Sequence, residues 1–280
     1  MGHVVLAAKI THVPSIWLSE HSEAHRGIRQ NAIDGLREIG RRARAAGADT
    51  FLVFDVHWLV NQGFHLNANA HHRGRFTSHE LPHFLSALDY DFPGDPELAR
   101  HIEAAGRDAG LGVRAHAVDG LGMEYGTLIP MHHMNADGAL RVLSSAANQY
   151  ASIDEGRRFG EVVAKAIAAS PRKVAVLASG SLSHQFWPNA QSVAGLDAVN
   201  TEFNRQVDLH VLDLWRQGRI KEFLAMLPEY AARCHGEANM IDTAHLFGVL
   251  GWDTYAGRGT VLGEYFGSSG TGQCNVVFEV

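Results

Sequence analysis

Short apolar runs alternate with helix-like segments along most of the chain, and this alternation constrains the fold more than any other feature. The runs at residues 4–10, 49–56 and 173–178 have the length and composition of buried strands. Between them, apolar residues recur at helical spacing, from about residue 22 to 46 and from about residue 154 to 169. Strands that alternate with helices predict an α/β fold, in which a central mixed sheet carries helices on both faces.

The other segments give weaker signals. Residues 64–70 alternate like a strand, whereas residues 71–83 are polar and histidine-rich and predict a loop. We expect this loop to line or cover a pocket, where Arg73 or Arg75 would meet a substrate carboxylate. Beyond residue 185 we expect mostly helical structure to about residue 250, followed by a final pair of strands.

Size and composition indicate one folded unit. The chain has 280 residues, of which 46% are hydrophobic and 19% charged, and no linker or repeat divides it, so we expect a single domain over residues 1–280. The net charge of −6 gives no reason to expect a nucleic-acid partner. No apolar segment approaches the roughly 20 residues of a membrane span. Two cysteines cannot build a disulfide framework, which favours a cytoplasmic location.

Histidines and one carboxylate form the candidate site. His12, His57 and His184 follow predicted strands, and ligands of α/β sheets gather at the carboxyl ends of strands. A third segment supplies Glu237. Two imidazoles and one carboxylate are the donor set of non-haem Fe(II) oxygenases, which leaves coordination positions open for substrate and O2. Because these residues lie far apart in sequence, spacing alone does not fix the set.

Three other motifs resemble catalytic signatures without meeting their requirements. HELPH at residues 79–83 matches the zinc-protease pattern, but Pro82 opposes the continuous helix that this pattern needs, so we expect a loop. GSLSH at residues 180–184 lacks the final glycine of a nucleophile elbow. GSSGTGQ at residues 267–273 lacks the lysine of a phosphate-binding loop and predicts a turn before the last strand.

Several segments in the same order resemble the class III extradiol ring-cleavage dioxygenases, the superfamily of the protocatechuate 4,5-dioxygenase catalytic subunit. The resemblance runs nearly end to end, through residue 273. The segments that carry it are KITHVPS (9–15), VFDVHWLVN (53–61), EYGTLIP (124–130), ASGSLSH (178–184), GEANM (236–240) and GSSGTGQ (267–273).

The resemblance implies a function and a residue set. It makes His12, His57 and Glu237 the ligands of Fe(II), with Mn(II) as an alternative, and His184 the acid–base residue. The implied reaction is extradiol cleavage of a catechol with O2 as co-substrate. Within the family, the similarity favours 3,4-dihydroxyphenylacetate, cleaved to 5-carboxymethyl-2-hydroxymuconate semialdehyde during aromatic-compound catabolism. A homo-oligomer is also expected, as is common for enzymes of this size.

One position departs from the family pattern. Many relatives have Asp-His-Gly where this chain has Glu124, Tyr125 and Gly126, so a tyrosine replaces a pocket histidine. Tyrosine can donate a hydrogen bond to a substrate oxygen but is a poor base at neutral pH. We therefore expect Tyr125 to take part in catalysis as a donor and His184 to carry the proton transfer; a packed aromatic at a helix start is the alternative for Tyr125.

Further assignments stay open from the sequence. Thr11 and Asp55 flank the two histidine ligands and can orient them, and His132 and His133 are candidate pocket residues. Another catechol, such as protocatechuate, gallate or dihydroxyphenylalanine, is an alternative substrate. A zinc-dependent hydrolase on the same ligand set and a non-catalytic binding protein are the alternative functional classes.

Overall fold

Twelve β-strands are present in the computed structural model, which describes residues 1–280. Eight of them form one mixed sheet, and the other four form two separate hairpins. In chain order the strands are β1 (His3–Ile10), β2 (Thr50–Val60), β3 (Phe64–Asn67), β4 (His71–Phe76), β5 (Leu88–Pro93), β6 (Val113–His116), β7 (Arg141–Asn148), β8 (Lys173–Ser179), β9 (Gly259–Val261), β10 (Phe266–Ser268), β11 (Thr271–Gln273) and β12 (Val276–Phe278).

The strand order of the large sheet is β6-β3-β7-β2-β8-β1-β12-β9. Its four central neighbours β7, β2, β8 and β1 all run parallel; at one edge β12 pairs antiparallel with β1, and β9 pairs antiparallel with β12. The carboxyl ends of the parallel strands therefore meet at one end of the sheet, where loops from β1, β2 and β8 lie side by side. This is the end at which ligands bind in α/β proteins.

Eight α-helices cover the two faces of the sheet. They are α1 (Ser15–His21), α2 (Gln30–Ala45), α3 (Pro96–Asp108), α4 (Tyr125–Met134), α5 (Ile153–Ala169), α6 (Glu202–Gln217), α7 (Ile220–Arg233) and α8 (Ile241–Leu250). Helices α1, α2 and α4 pack on one face, and α3 and α5 to α8 on the other. None of the helices combines the length and the apolar character that crossing a membrane requires.

Alternate residues of the central strands enter two separate cores. In β2, Leu52 and Phe54 pack with the five helices of one face, whereas Phe51 and Val53 pack with the three helices of the other. A strand buried on both faces needs apolar residues at every position, which is why these segments read as continuous apolar runs. The predicted α/β fold with helices on both faces is confirmed.

Three predicted elements differ from the structure. The helix expected from residue 22 begins only at Gln30, because Gly27 takes a left-handed φ of +81° and separates it from α1. The expected loop at residues 71–83 begins with β4, whose side chains are mostly polar because its hairpin lies outside the main sheet. The expected helical region beyond residue 185 starts as irregular chain, and α6 begins at Glu202.

Candidate active site

The end of the parallel sheet brings together the residues that the sequence singled out. His12 lies two residues beyond β1, and His184 lies in the loop that follows β8. His57 lies within β2, where the pairing with β7 shifts register between Asp55 and Leu59. Such an irregularity changes the direction in which side chains leave the strand. Here the His57 ring lies opposite His12, with ring centroids 4.8 Å apart.

Glu237 completes a group of three possible metal ligands. One donor atom from each of His12, His57 and Glu237 lies within 4.8 Å of the others. Glu237 Oε1 is 3.7 Å from His12 Nε2 and 3.3 Å from His57 Nε2. Charge-assisted hydrogen bonds are shorter, at about 2.7–2.9 Å. Separations of this size instead suit three ligands around one ion at about 2.0–2.2 Å from each. The donor set and its spacing fit a divalent metal.

The His12 ring is fixed in the tautomer that metal binding needs. Its Nδ1 lies 3.1 Å from Ser179 Oγ, and Ser179 donates its own hydroxyl hydrogen to the Gly126 carbonyl at 2.5 Å. Ser179 can therefore only accept from His12, so Nδ1 carries the hydrogen. The lone pair of Nε2 is left to face Glu237 and the ligand site.

Glu237 is held with one oxygen anchored and the other free. The Ser181 amide donates to Oε2 at 2.5 Å, and Oε1 faces the histidines. A turn of left-handed residues presents this side chain: Ala238, Asn239 and Met240 have φ values of 44°, 59° and 57°. Backbone strain of this kind is concentrated at functional sites. Burial alone would raise the pKa of Glu237, but the neighbouring His184 and His12 outweigh it and hold that pKa well below its usual range.

His57 is positioned through Asp55. The His57 amide donates to Asp55 Oδ1 at 2.8 Å, and the Thr127 hydroxyl donates to Asp55 Oδ2 at 2.6 Å. Gly126 permits this close approach of α4 to β2, since a Cβ atom there would lie 2.1 Å from Asp55 Oδ1. Burial lowers the pKa of His57, but a larger combined effect of Glu237 and the nearby carboxylates raises it.

Of the two residues expected to orient the ligands, only Asp55 contacts one of them. Thr11 instead donates its hydroxyl to Gln273 Oε1 at 2.6 Å. The residue that orients His12 is Ser179. Its position in the ASGSLSH segment, directly at the end of β8, is the only sequence signal that could have pointed to it.

Tyr125 lies at the start of α4 and packs on His57, with ring centroids 3.8 Å apart. Its hydroxyl donates to Glu80 Oε2 at 2.9 Å, and the other oxygen of Glu80 lies 3.9 Å from His57 Nδ1. Burial first, and then the charge of Glu80, raise the pKa of Tyr125 above its ordinary value. The phenol therefore stays protonated and acts as a hydrogen-bond donor.

Glu80 is a pocket residue that the sequence did not identify. It belongs to the HELPH motif, which forms turns rather than a helix, as expected from Pro82. The motif lacks the zinc-protease geometry, yet its loop brings Glu80, Leu81 and Phe84 to the cavity wall. Arg73 and Arg75, by contrast, lie on β4 and pair with Asp91 and Asp89 on the surface. The expectation that either arginine meets a substrate in this cavity is wrong.

His184 occupies the boundary between the ligand group and the cavity. Its Nε2 lies 3.3 Å from Glu237 Oε1, and its side chain keeps 21% of its exposure. The preceding Ser183 is tied to the buried Asp208, which accepts its hydroxyl at 2.7 Å and its amide at 3.2 Å. Tyr230 and Tyr265 donate to the same carboxylate at 2.7 and 2.6 Å. This network fixes the loop that carries His184.

The cavity over these residues is narrow and opens into a wider groove. Its volume is about 50 Å³, and it adjoins a groove of about 710 Å³. Both are lined by Leu81, Phe84, Phe186 and Ser269. No lysine or arginine lines either space. His132 and His133, the other expected pocket residues, are absent from both linings because they lie at the far end of α4.

One buried cation lies directly behind the cavity wall. Arg29, only 5% exposed, donates through Nε to Ser15 Oγ at 2.9 Å. Ser15 Oγ is 3.0 Å from Ser268 Oγ, and both serines line the cavity. Arg29 also pairs with Asp197 at 2.6 Å on its other side. The wall formed by the two serines therefore has a guanidinium behind it.

An α/β fold with two imidazoles, one carboxylate and a further histidine at the strand ends defines the class of oxygen- or water-activating metalloenzymes. The family described as the catalytic LigB subunit of aromatic ring-opening dioxygenase matches residues 6–279, and the chain belongs to this family. It is therefore a ring-cleaving dioxygenase, an oxidoreductase, and the resemblance noted from the sequence is confirmed.

Individual relatives agree with this assignment. The chain is 48% identical over 259 residues to the 3,4-dihydroxyphenylacetate 2,3-dioxygenase of Escherichia coli, covering 92% of this chain and 94% of that protein. It is 26% identical over 250 residues to the 2-aminophenol 1,6-dioxygenase beta subunit of a Pseudomonas species, covering 84% and 82%.

A solved structure of an uncharacterized protein from Escherichia coli K12 superposes with a TM-score of 0.61. It covers 89% of this chain and 92% of its own, at 13% identity, and supports the fold alone.

Proposed function

We propose that this chain, over residues 1–280, is an Fe(II)-dependent extradiol dioxygenase acting on 3,4-dihydroxyphenylacetate. In this reaction the ring C–C bond beside the diol breaks, and both atoms of O2 enter the product, 5-carboxymethyl-2-hydroxymuconate semialdehyde. No external reductant is needed, because the catechol supplies the electrons. The observation that carries the proposal is the convergence of three donor atoms and His184 on one cavity, in a chain 48% identical to an enzyme named for this substrate.

His12, His57 and Glu237 would hold the metal. Fe(II) is proposed over Mn(II) because two imidazoles and a carboxylate with open positions are typical of non-haem iron oxygenases. When bound, the ion would supply Lewis acidity toward the catechol oxygens and a path for electrons to O2. The protein fixes the His12 tautomer through Ser179 and leaves one Glu237 oxygen free, so the donors are oriented before the ion arrives.

His184 is proposed to move the protons. Its ring lies beside the donor group and lines the cavity, within reach of a catechol hydroxyl placed there. A histidine at neutral pH can accept a proton from that hydroxyl and return it when the ring opens. Tyr125 contributes a donor rather than a base, because its raised pKa keeps the phenol protonated.

The substrate carboxylate is proposed to meet the wall formed by Ser15 and Ser268. These hydroxyls are the polar groups of the cavity that have a cation behind them, because Arg29 donates to Ser15. A hydroxyl polarised by a guanidinium is a better donor to a carboxylate than an isolated one. This arrangement favours a catechol with an acidic side chain over a neutral one.

The test is reconstitution of the metal-free protein under anaerobic conditions with Fe(II), Mn(II) or Zn(II) in parallel. Each form is then mixed with O2 and 3,4-dihydroxyphenylacetate, protocatechuate, gallate or dihydroxyphenylalanine. We expect the fastest O2 uptake and a yellow product with Fe(II) and 3,4-dihydroxyphenylacetate. Activity with Zn(II) alone, or no O2 uptake with any catechol, would reject the proposal; a faster reaction with another catechol would revise only the substrate.

Two further properties stay predictions. A homo-oligomer is expected, and light scattering coupled to size-exclusion chromatography measures it directly. The cytoplasmic location inferred from the two cysteines is also a prediction, and fractionation of the producing cell tests it.

A further inference from the structure

A second group of potential metal ligands lies outside the active-site cavity. One donor atom from each of Glu20, His132 and His133 lies within 4.8 Å of the others. Glu20 belongs to the last turn of α1, and the two histidines belong to the last turn of α4. The start of α4 is at Tyr125, so this group lies roughly 10 Å along the helix from the active site.

The Glu20 carboxylate is only partly satisfied. Its Oε1 lies 3.3 Å from the guanidinium of Arg37, but its Oε2 is buried and has no hydrogen-bond partner. Arg37 is half exposed and is also 3.6 Å from Asp34, so its charge is shared between two carboxylates. A buried carboxylate oxygen without a partner is costly. A cation at Oε2 would remove that cost.

His133 faces this free oxygen at a distance suited to an ion between them. Its Nε2 is 3.6 Å from Glu20 Oε2, too far for a hydrogen bond. Two tetrahedral ligands at ~2.1 Å from a zinc ion are about 3.4 Å apart.

His132 is the third potential ligand, and it connects the group to the solvent. Its ring packs edge-on against Trp17, with centroids 5.2 Å apart, which limits its rotation. It also lines a surface cleft of about 470 Å³, so an ion and a water ligand can reach the group from outside. Three protein ligands with one open position form a recognised type of zinc site.

We propose that Glu20, His132 and His133 bind a second divalent cation of the zinc type, separate from the catalytic centre. Two imidazoles and one carboxylate select a borderline ion such as Zn(II) over the harder Mg(II) or Ca(II). The ion joins the far ends of α1 and α4. The near ends of these helices carry Ser15 and Tyr125 of the active-site cavity, so the second ion would link two elements of its wall without adding a group to the cavity itself.

The test measures how much Zn(II) the metal-free, full-length protein retains after equilibrium dialysis, by elemental analysis. The wild type should retain two equivalents, and Glu20→Gln, His132→Asn and His57→Asn one each. Combining Glu20→Gln with His57→Asn should leave none. His116→Asn is the matched control, because His116 pairs only with His65 and belongs to no carboxylate-containing group, so it should retain two.

A crystal grown with Zn(II) locates the ion. We expect an anomalous difference peak between Glu20, His132 and His133, and unchanged dioxygenase turnover in Fe(II)-loaded Glu20→Gln. Glu20→Gln and His132→Asn that both retain as much Zn(II) as the wild type would overturn the proposal, and so would the absence of an anomalous peak between the three side chains. His57→Asn reports on the catalytic centre separately, so failure of one site is distinguishable from failure of the other.

Discussion

Neighbouring hydroxyls and amides decide where each donor atom of the candidate metal centre points. Ser179 accepts from His12 Nδ1, and the Ser181 amide fixes one oxygen of Glu237. Neither serine would bind the metal, yet both set the direction and protonation of a group that would. Removing a partner of this kind commonly lowers metal affinity by about 10- to 100-fold.

Ser179→Ala should weaken metal binding by about 10- to 100-fold, because His12 loses the acceptor that fixes its tautomer. The apparent affinity for Fe(II) is measured by titrating the metal-free protein and following activity. Ser145→Ala is the matched control, since the Ser145 hydroxyl is buried on β7 of the same sheet and has no partner. Equal affinities in the two variants would contradict the role given to Ser179.

His184→Phe should retain the metal and lose turnover by about 100-fold or more, the usual scale for an acid–base group. Metal content and kcat are measured on the same preparation. Full turnover with normal metal content would show that another group moves the protons.

Ser268→Ala should raise KM for 3,4-dihydroxyphenylacetate by about 10-fold, as expected for loss of one hydrogen bond to a charged group. KM for 4-methylcatechol, which lacks the carboxylate, should stay within about 2-fold, and this second substrate is the internal control. An equal rise in both KM values would place the carboxylate elsewhere.

At the scale of elements, the contact between β2 and α4 positions His57. The register shift in β2 leaves His57 outside the regular pairing with β7, and Gly126 lets α4 approach Asp55. The central strands could be predicted because both of their faces are apolar. The β4 strand could not, because its polar hairpin lies off the sheet, and neither could the register shift, which depends on pairing with β7.

Gly126→Ala tests this contact. The added Cβ would lie 2.1 Å from Asp55 Oδ1, so Asp55 must move, at about 1–3 kcal/mol of unfolding free energy. Because Asp55 holds the His57 amide, affinity for Fe(II) should fall as well. Gly112→Ala is the control, since the nearest atom to its added Cβ is 4.0 Å away. Denaturant unfolding and metal titration are measured for both variants. A Gly126→Ala variant with wild-type stability and wild-type metal affinity would show that this contact does not position His57.

At the scale of the whole molecule, two cores hold the sheet, and the larger one contains a buried polar residue with no partner. His245 on α8 packs among Phe54, Phe64 and Phe159, and both of its ring nitrogens lack a hydrogen bond. Burial lowers its pKa to about 3. The fold class and the convergence of His12, His57, His184 and Glu237 could be anticipated, whereas this residue could not, because a histidine without a hydrogen-bond partner is not expected in an apolar core.

His245→Leu should increase the free energy of unfolding at pH 7 by about 1–3 kcal/mol, because the unpaired ring nitrogens are removed from the core. On acidification, the unfolded chain protonates His245 near its ordinary pKa of 6.5, while the folded chain resists until about pH 3. The wild type therefore loses stability through this residue as pH falls across that window, at up to ~1.4 kcal/mol per pH unit.

The leucine variant lacks this loss, so its advantage over the wild type should grow between pH 6.5 and 3. Urea unfolding at several pH values measures the difference. His210→Leu, at an exposed position of α6, is the control and should show no such trend. A constant difference between His245→Leu and wild type across the window would contradict the linkage.

The most direct test of the central claim is the structure of the product. Metal-free protein is loaded with Fe(II) without oxygen, mixed with 3,4-dihydroxyphenylacetate and then with O2, and the product is examined by mass spectrometry and proton NMR. The account predicts one O2 consumed per ring, a product heavier than the substrate by one O2 and a single aldehyde proton. A quinone, or a ring opened between the two hydroxyl-bearing carbons without an aldehyde, would contradict it.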